Sequence, residues 1–287
     1  MREVKAGRGT PNGGVYLDIA WIKEKISNAP EHIKKKLPSM YHQFKQLADL
    51  DITTTPMEVG PTTHYIMGGI KVDGDTQAST IPGLFAAGEC AAGINGANRL
   101  GGNWLSDLIV FGKRPGENAA KFAQENKHGT INNDQIAQTV KWSLEPFEKQ
   151  NGENPFALQH ELQDMMQLNV GIVRNEEEMQ TALIGVRELK KRLENVSATG
   201  NIDFNPSWHT ALDMHNLLNV SEAITLAAIQ RKESRGGHFR EDFPAKEKEF
   251  GTINFSVKKG ANGEMEIKSV PIPEMPDELK QIIEEMG

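Results

Sequence analysis

The sequence predicts an α+β protein: short strands and glycine turns come first, an antiparallel three-helix domain follows, and a small β/α tail closes the chain. Three observations predict it. Short β-type pieces alternate with Gly and Pro through residues 52–84. Three runs with apolar residues at helical spacing fill most of residues 156–231. Beyond Phe243-Pro244 the text returns to a strand pattern, with Asn262-Gly263 as a hairpin turn between two runs.

The elements follow in order. The chain starts turn-rich, Gly7-Arg8-Gly9-Thr10-Pro11-Asn12-Gly13-Gly14, and Val15-Tyr16-Leu17-Asp18-Ile19 reads as a short strand. Residues 21–50 read as helical, interrupted at Pro30 and Pro38. Trp21, Ile22 and Ile26 share one face there, and Met40, Phe44 and Leu47 another. Ile81-Pro82-Gly83 marks a turn before Leu84-Phe85-Ala86-Ala87-Gly88-Glu89. Trp104 to about Gly112 reads as a buried apolar helix, and residues 113–154 as a polar connection holding one helical piece near 135–147. Three amphipathic helices follow. Their stripes are Leu158, Leu162, Met165, Met166 and Val170; then Met179, Leu183, Val186 and Leu193; then Leu212, Leu217, Val220, Ile224 and Ala228. Short polar loops between helices of this length predict antiparallel neighbours. Residues 252–257 and 264–269 read as strands, and 276–286 as a last short helix.

Composition bounds the function. A chain of 287 residues suits about two domains. It carries 32 Lys and Arg against 39 Asp and Glu, a net charge of −7, which argues against nucleic acid as a partner. An anionic substrate must then be held by a few placed cations rather than by a general field. The single cysteine, Cys90, allows no internal disulfide and suits a reducing compartment. No apolar run reaches the ~18 residues of a membrane span, and Arg2, Glu3 and Lys5 do not fit a signal peptide. These features predict a cytoplasmic protein, with peripheral attachment to the cytoplasmic face of a membrane left open.

The run Gly93-Ile94-Asn95-Gly96-Ala97-Asn98-Arg99-Leu100-Gly101-Gly102-Asn103 is the most informative motif. Glycines before a helix let backbone N–H groups approach a ligand at a positive helix end. A tight turn into a helix explains the same residues without a ligand. Arg99 lies among glycines and small residues, and its fork suits a carboxylate. A structural ion pair is the plainer role. His64, followed by Tyr65-Ile66-Met67-Gly68-Gly69, can donate to an anion or serve structure alone. Ser234-Arg235-Gly236-Gly237-His238-Phe239-Arg240 reads as a capped helix end, with Gly236 as the cap and a surface cluster of cations. Cys90 reads as a small core residue, and the methionines of residues 165–179 as core. No zinc-ligand spacing, phosphate loop, Gly-x-Ser-x-Gly elbow or Gly-x-Gly-x-x-Gly fingerprint is present.

Four segments together resemble one family, the succinate dehydrogenase/fumarate reductase flavoprotein subunits, in their C-terminal half. Pro61-Thr62-Thr63-His64-Tyr65-Ile66-Met67-Gly68-Gly69-Ile70 resembles the family's substrate-histidine segment. Pro82-Gly83-Leu84-Phe85-Ala86-Ala87-Gly88-Glu89 resembles its returning FAD strand, and residues 95–103 its substrate-arginine loop. Residues 231–238, followed by Asp242-Phe243-Pro244, resemble the signature that closes its helical domain.

The resemblance implies a layout and a set of roles. Residues 1–55 would be the remainder of a capping domain, 56–125 the C-terminal part of an FAD-binding domain, 126–154 a linker, 155–245 the helical domain and 246–287 the tail. His64 and Arg99 would bind a dicarboxylate. Glu89 would hold the FAD ribose, and the backbone at Trp104 and Leu105 would meet the flavin pyrimidine edge. Trp104 departs from the pattern, where a small Ser is usual, so packing there must differ. The family's proton-donating arginine and its FAD fingerprint would lie upstream of Met1, so no catalytic residue is expected in this chain and its FAD site would be incomplete. The implied partners are the N-terminal half of the flavoprotein, a membrane anchor and an iron–sulfur subunit. The expected reaction is the interconversion of succinate and fumarate, with this chain inactive alone. L-aspartate oxidase shares the arginine loop and is the enzyme alternative; a non-catalytic assembly module is the alternative of another class.

Overall fold

The structure, a computed structural model, describes residues 1–286 and divides into two compact units, residues 1–65 and residues from 66 onward. The α+β class predicted from the sequence is the one observed.

In the first unit, β1 (Val15–Leu17) pairs antiparallel with β2 (Met57–Val59), with Tyr16 opposite Glu58. Two helices fill the interval, α1 (Ala29–Lys36) and α2 (Pro38–Ala48). Pro30 and Pro38 start these helices rather than interrupt one. Both occupy the first helical turn, where a missing N–H costs nothing and a fixed φ fits. The core is Ile33, Ile52 and Met57, flanked by Ile19, Ile22, Tyr41 and Phe44. The predicted Met40–Phe44–Leu47 stripe is therefore displaced. Tyr41 and Phe44 face the core, whereas Leu47 is 87% exposed. Trp21 is also exposed. Thr10 and Asn12 both donate to the Glu58 carboxylate, tying the opening turn to β2.

The second unit opens with turns that precede α3 (Trp104–Glu125). This helix runs past Gly112, where the sequence pattern had suggested its end, and through Pro115. Nor is its apolar face buried: Leu105, Leu108, Ile109 and Val110 are all exposed. Within residues 126–154, α4 (Asn133–Glu148) packs on the later helices. Trp208 Nε1 donates to the Ser143 carbonyl at 2.6 Å, and the Trp208 and Phe147 rings lie 5.7 Å apart.

Helices α5 (Pro155–Asn169), α6 (Glu176–Leu193) and α7 (Pro206–Gln230) form the bundle. Each opens on an asparagine whose side chain accepts from a first-turn N–H: Asn154, Asn175 and Asn205. Glu176, Glu177 and Glu178 at the start of α6, and Lys190, Lys191 and Arg192 at its end, match the helix dipole. The core joins Leu158 and Leu162 of α5 to Val186, Leu189 and Leu193 of α6 and to Met214 and Leu218 of α7. Full burial of each such side chain stabilises by roughly 1.5–3 kcal/mol. Met165, Met166 and Met179 are core, as predicted. The α7 stripe is the predicted one only in part: Ala228 is buried and Ile224 packs against the core, as expected. Ala211, Met214, Leu218, Thr225 and Ala228 face inward, while Leu217 and Val220 are exposed. This helix is apolar on several faces, so spacing alone did not select one.

The end of α7 also departs from the expectation of a surface cluster. Arg240 is fully buried. It donates to Asp242 (2.8 Å) and Glu176 (2.8 Å), and to the open carbonyls of Ile229 and Ala228. Glu233 is likewise buried and accepts from Arg231, Arg235 and the Glu247 N–H. The helix cap is Arg231, not Gly236. The cations satisfy helix-end carbonyls and buried carboxylates together, which draws them inside. Beyond them, β3 (Ile253–Lys259) and β4 (Met265–Pro271) form the predicted hairpin, with Gly263 of the turn at φ +85°, and α8 (Asp277–Met286) ends the described chain.

A fragment of residues 155–245 is expected to fold by itself, because the bundle core comes from its own helices. It should melt cooperatively with strong helical circular dichroism. In it, Arg240→Ala should cost about 3 kcal/mol, toward the lower end for a broken buried pair because Glu176 and Asp242 keep some solvent access. Urea unfolding of the two forms measures this; a difference below about 1 kcal/mol would show the network to be dispensable.

Candidate functional site

Glycines carry the site. Residues 66–70 run beside the turn that holds Glu89. Ile70 N donates to the Cys90 carbonyl at 2.7 Å, and Ala92 N to the Ile70 carbonyl at 2.9 Å. A Cβ on Gly69 would collide with the Cys90 backbone, so only glycine allows this approach. The Glu89 carboxylate accepts from Ile66 N at 2.9 Å through one oxygen. Cys90 itself is exposed, and its thiol donates to the Ala87 carbonyl, so it is not the core residue expected.

This turn rests on α3. Gly88 sits at φ +69°, and a Cβ there would lie 2.5 Å from Leu108 Cδ2, in the second turn of the helix. Farther along, the Phe85 and Phe122 rings meet edge to face with centroids 6.2 Å apart, and Arg114 donates to the Gly74 carbonyl at 2.9 Å. The segment expected as a returning strand is thus a series of isolated bridges and turns laid along α3.

The loop of residues 93–103 leads into the same helix. Gly93, Gly96 and Gly102 all have positive φ, and a Cβ on any of them would meet open space. Asn103 stands at the helix start but its side chain makes no capping bond. The first N–H groups of α3, at Trp104 and Leu105, therefore lack the side-chain cap that α4–α7 possess. Arg99 is half-buried, and one terminal nitrogen donates to the Leu100 carbonyl at 3.3 Å.

The structure thus gathers Glu89, the Arg99 loop and the Trp104-Leu105 backbone around one end of α3. His64 lies in the first unit and is exposed. No cluster of His, Cys, Asp or Glu suited to a metal occurs among the described residues, nor is any helix among them long and apolar enough to cross a membrane.

Sequence reasoning missed what holds the arginine loop. Gly237 N donates to the Ala97 carbonyl at 3.0 Å, and a Cβ on Gly236 would collide with that carbonyl. The signal was the pair Gly236-Gly237, which helix-cap logic had absorbed. The turn is pinned from behind. Arg235 and His238 exchange backbone bonds, Arg174 lies 2.9 Å from His238 Nδ1, and His238 Nε2 lies 3.0 Å from the Arg231 carbonyl. A guanidinium only donates, so Nδ1 accepts and Nε2 carries the proton. Burial pushes the His238 pKa down to about 4, aided by the charges of Arg174, Arg231 and Arg240 and opposed by the bond to the Arg231 carbonyl. Burial alone would raise the Glu233 carboxyl, but Arg235, the Glu247 N–H and Arg231 outweigh it and hold it at about 2.

Comparison with known proteins gives the family. Residues 2–105 match an FAD binding domain, and residues 159–281 match the family described as fumarate reductase flavoprotein C-term. The fumarate reductase flavoprotein subunit of a Serratia species is 36% identical over 260 residues, which cover 88% of this chain and 42% of that protein. The succinate dehydrogenase flavoprotein subunit of Coxiella burnetii is 38% identical over 260 residues, covering 85% of this chain and 43% of it. The structure of Mycobacterium smegmatis Sdh1 in complex with UQ1 superposes with a TM-score of 0.87 at 48% identity, over 98% of this chain and 47% of that one.

The chain belongs to the succinate dehydrogenase/fumarate reductase flavoprotein family. It spans less than half the length of these relatives. FAD is the cofactor that the family match assigns to the flavoprotein. The residues present fit part of that group. Glu89 keeps one carboxylate oxygen beyond its bond to Ile66 for hydroxyl donors, and uncapped N–H groups at the α3 start suit ring carbonyl acceptors.

The low pKa of His238 sets a pH dependence. In the unfolded chain the imidazole titrates near 6.5; in the folded flavoprotein it stays neutral down to about 4. The unfolded state therefore binds the extra proton first, so this stability is complete above pH 6.5 and falls as the pH drops toward 4. Glu233 acts lower, losing its contribution only from about pH 4.5 toward 2. His238→Gln is expected to shrink the drop in unfolding free energy between about pH 7.5 and 5. An unchanged drop would show that His238 does not titrate in that window.

Proposed function

We propose that this flavoprotein chain supplies the dicarboxylate-binding arginine and part of the FAD cradle of an enzyme that interconverts succinate and fumarate. The observation that supports it is the arginine loop. A guanidinium on a glycine-rich loop leads into an uncapped helix start, beside a turn that carries an acidic side chain.

Each residue has a task set by its chemistry. The Arg99 fork makes two parallel bonds to one substrate carboxylate, fixing its position as well as its charge. His64 donates a hydrogen bond to the same class of ligand. The positive end of α3 stabilises negative charge that develops near Trp104 and Leu105. Glu89 accepts from ribose hydroxyls. FAD, when bound, supplies the two-electron chemistry. Electrons would leave through an iron–sulfur partner, and a membrane anchor would hold the assembly peripherally on the cytoplasmic face. We assign the helical domain to residues 155–245 and the FAD-binding part to residues 56–125. The names of the relatives above favour this reading over an L-aspartate oxidase.

The loop glycines meet open space and the apolar face of α3 is exposed. Residues 1–287 alone are therefore expected to purify with little flavin and no succinate oxidation. A yellow protein near one flavin per chain would overturn that expectation. With the rest of a family flavoprotein supplied in trans, Arg99→Lys keeps the charge but loses the fork. Charged hydrogen bonds contribute roughly 1.5–3 kcal/mol, so kcat/KM for succinate should fall about ten- to a hundred-fold at unchanged FAD content. His64→Ala should lose less. If Arg99→Lys stays within twofold, the arginine serves structure and the proposal fails.

A further inference from the structure

We infer that the turn Arg235–His238, at the end of the helical bundle, is the positioning element of the Arg99 loop. The positioning stands on geometry alone; its consequence for substrate rests on the function proposed above.

Part of the loop stands open. Three of its glycines have positive φ and empty space where a side chain would be, so its neighbours do not fix it there. The contact at Ala97, two residues before Arg99, is different. Its carbonyl receives the Gly237 N–H at 3.0 Å. It also lies so near Gly236 that the backbone carbon and the Ala97 Cβ would both meet an added methyl group. Gly236 stands at φ +58°, in the left-handed region. A close backbone approach and a directed hydrogen bond thus converge on one carbonyl.

The turn can hold that carbonyl because it does not move easily itself. Arg235 is paired with Glu233, a buried carboxylate that also binds Arg231 and the Glu247 N–H. His238 is gripped on both ring nitrogens, by Arg174 and by the Arg231 carbonyl. Ser234 accepts from Arg240 N at 2.8 Å, and Arg240 is locked to Asp242 and Glu176. The order of α5, α6 and α7 is in this way delivered to one backbone oxygen of the arginine loop.

The glycine pair separates contact from chemistry. Gly237→Ala keeps the N–H, and its Cβ would be 3.9 Å from the Ala97 carbonyl, so it is expected to be silent. Gly236→Ala and Gly236→Asn both place a Cβ against Ala97. Asn tolerates the left-handed region, so a shared effect comes from the collision rather than from backbone strain.

The test is nuclear magnetic resonance and amide exchange on the full chain. In the parent, the Gly237 amide should exchange at least tenfold more slowly than an open loop amide. Exchange at the open-chain rate would overturn the contact without any variant being made. Both Gly236 variants should shift the Arg99 Nε signal and speed exchange of the amides of residues 97–103, while the bundle amides of α5–α7 and the Gly237→Ala spectrum stay as in the parent. An unmoved Arg99 signal in folded Gly236 variants overturns the inference. In the completed flavoprotein, Gly236→Ala should raise KM for succinate about tenfold or more, in line with the cost of small misplacements, with FAD content unchanged and kcat less affected. If the Arg99 signal shifts but neither Gly236→Ala nor Arg99→Lys alters KM, the positioning stands and the dicarboxylate reading fails.

Discussion

Arg240 is a guanidinium with no access to water, and much of the second unit depends on how its charge is met. Removing such a group from water costs several kcal/mol unless every donor is paired. Here Asp242, Glu176 and two end carbonyls of α7 meet it. Those partners belong to the start of α6, the end of α7 and the chain that leaves it. One buried cation therefore fixes how two helices end relative to each other and where the chain turns next.

The consequence reaches the site through backbone, not through charge. Residues 231–240 fold back on themselves because Glu233, His238 and Ser234 each hold an opposite side of the turn. Their outermost point is the glycine pair that meets Ala97. The other support of the site is α3, which holds the Glu89 turn through Gly88 and the 73–85 segment through Phe122 and Arg114. Arg99 thus lies on a loop between α3 and the Arg235–His238 turn. Loops placed by scaffolds in this manner are where binding residues concentrate.

The same glycines that make the loop compliant keep its backbone accessible. An uncapped helix start is a local cost in a protein that caps α4 to α7 with asparagine. A group that brings carbonyl acceptors to those N–H donors recovers that cost. Leu105, Leu108, Ile109 and Val110 of α3 are exposed as well. Hydrophobicity alone had suggested a core position for them, because a sequence pattern carries no record of which apolar faces find a neighbour.

The sequence by itself determined the helices, the hairpin and the residues of the family motifs. Periodicity and the Asn262-Gly263 turn are local signals, each set by a few neighbouring residues. His64, Glu89, Arg99, Trp104 and Leu105 stand in short motifs of distinctive residue types, and the roles given to them are those the resemblance implies. What only the tertiary structure decided was non-local. It selected Met214 and Leu218, not Leu217 and Val220, as the inner face of α7, because several faces of that helix were apolar enough and only the neighbours could choose. It drew Arg240 inside because its partners, Glu176 of α6 and the end carbonyls of α7, come from separate elements. It set Gly236 against Ala97, residues far apart in sequence, because close approach is a property of two backbones in space and no spacing along one chain encodes it.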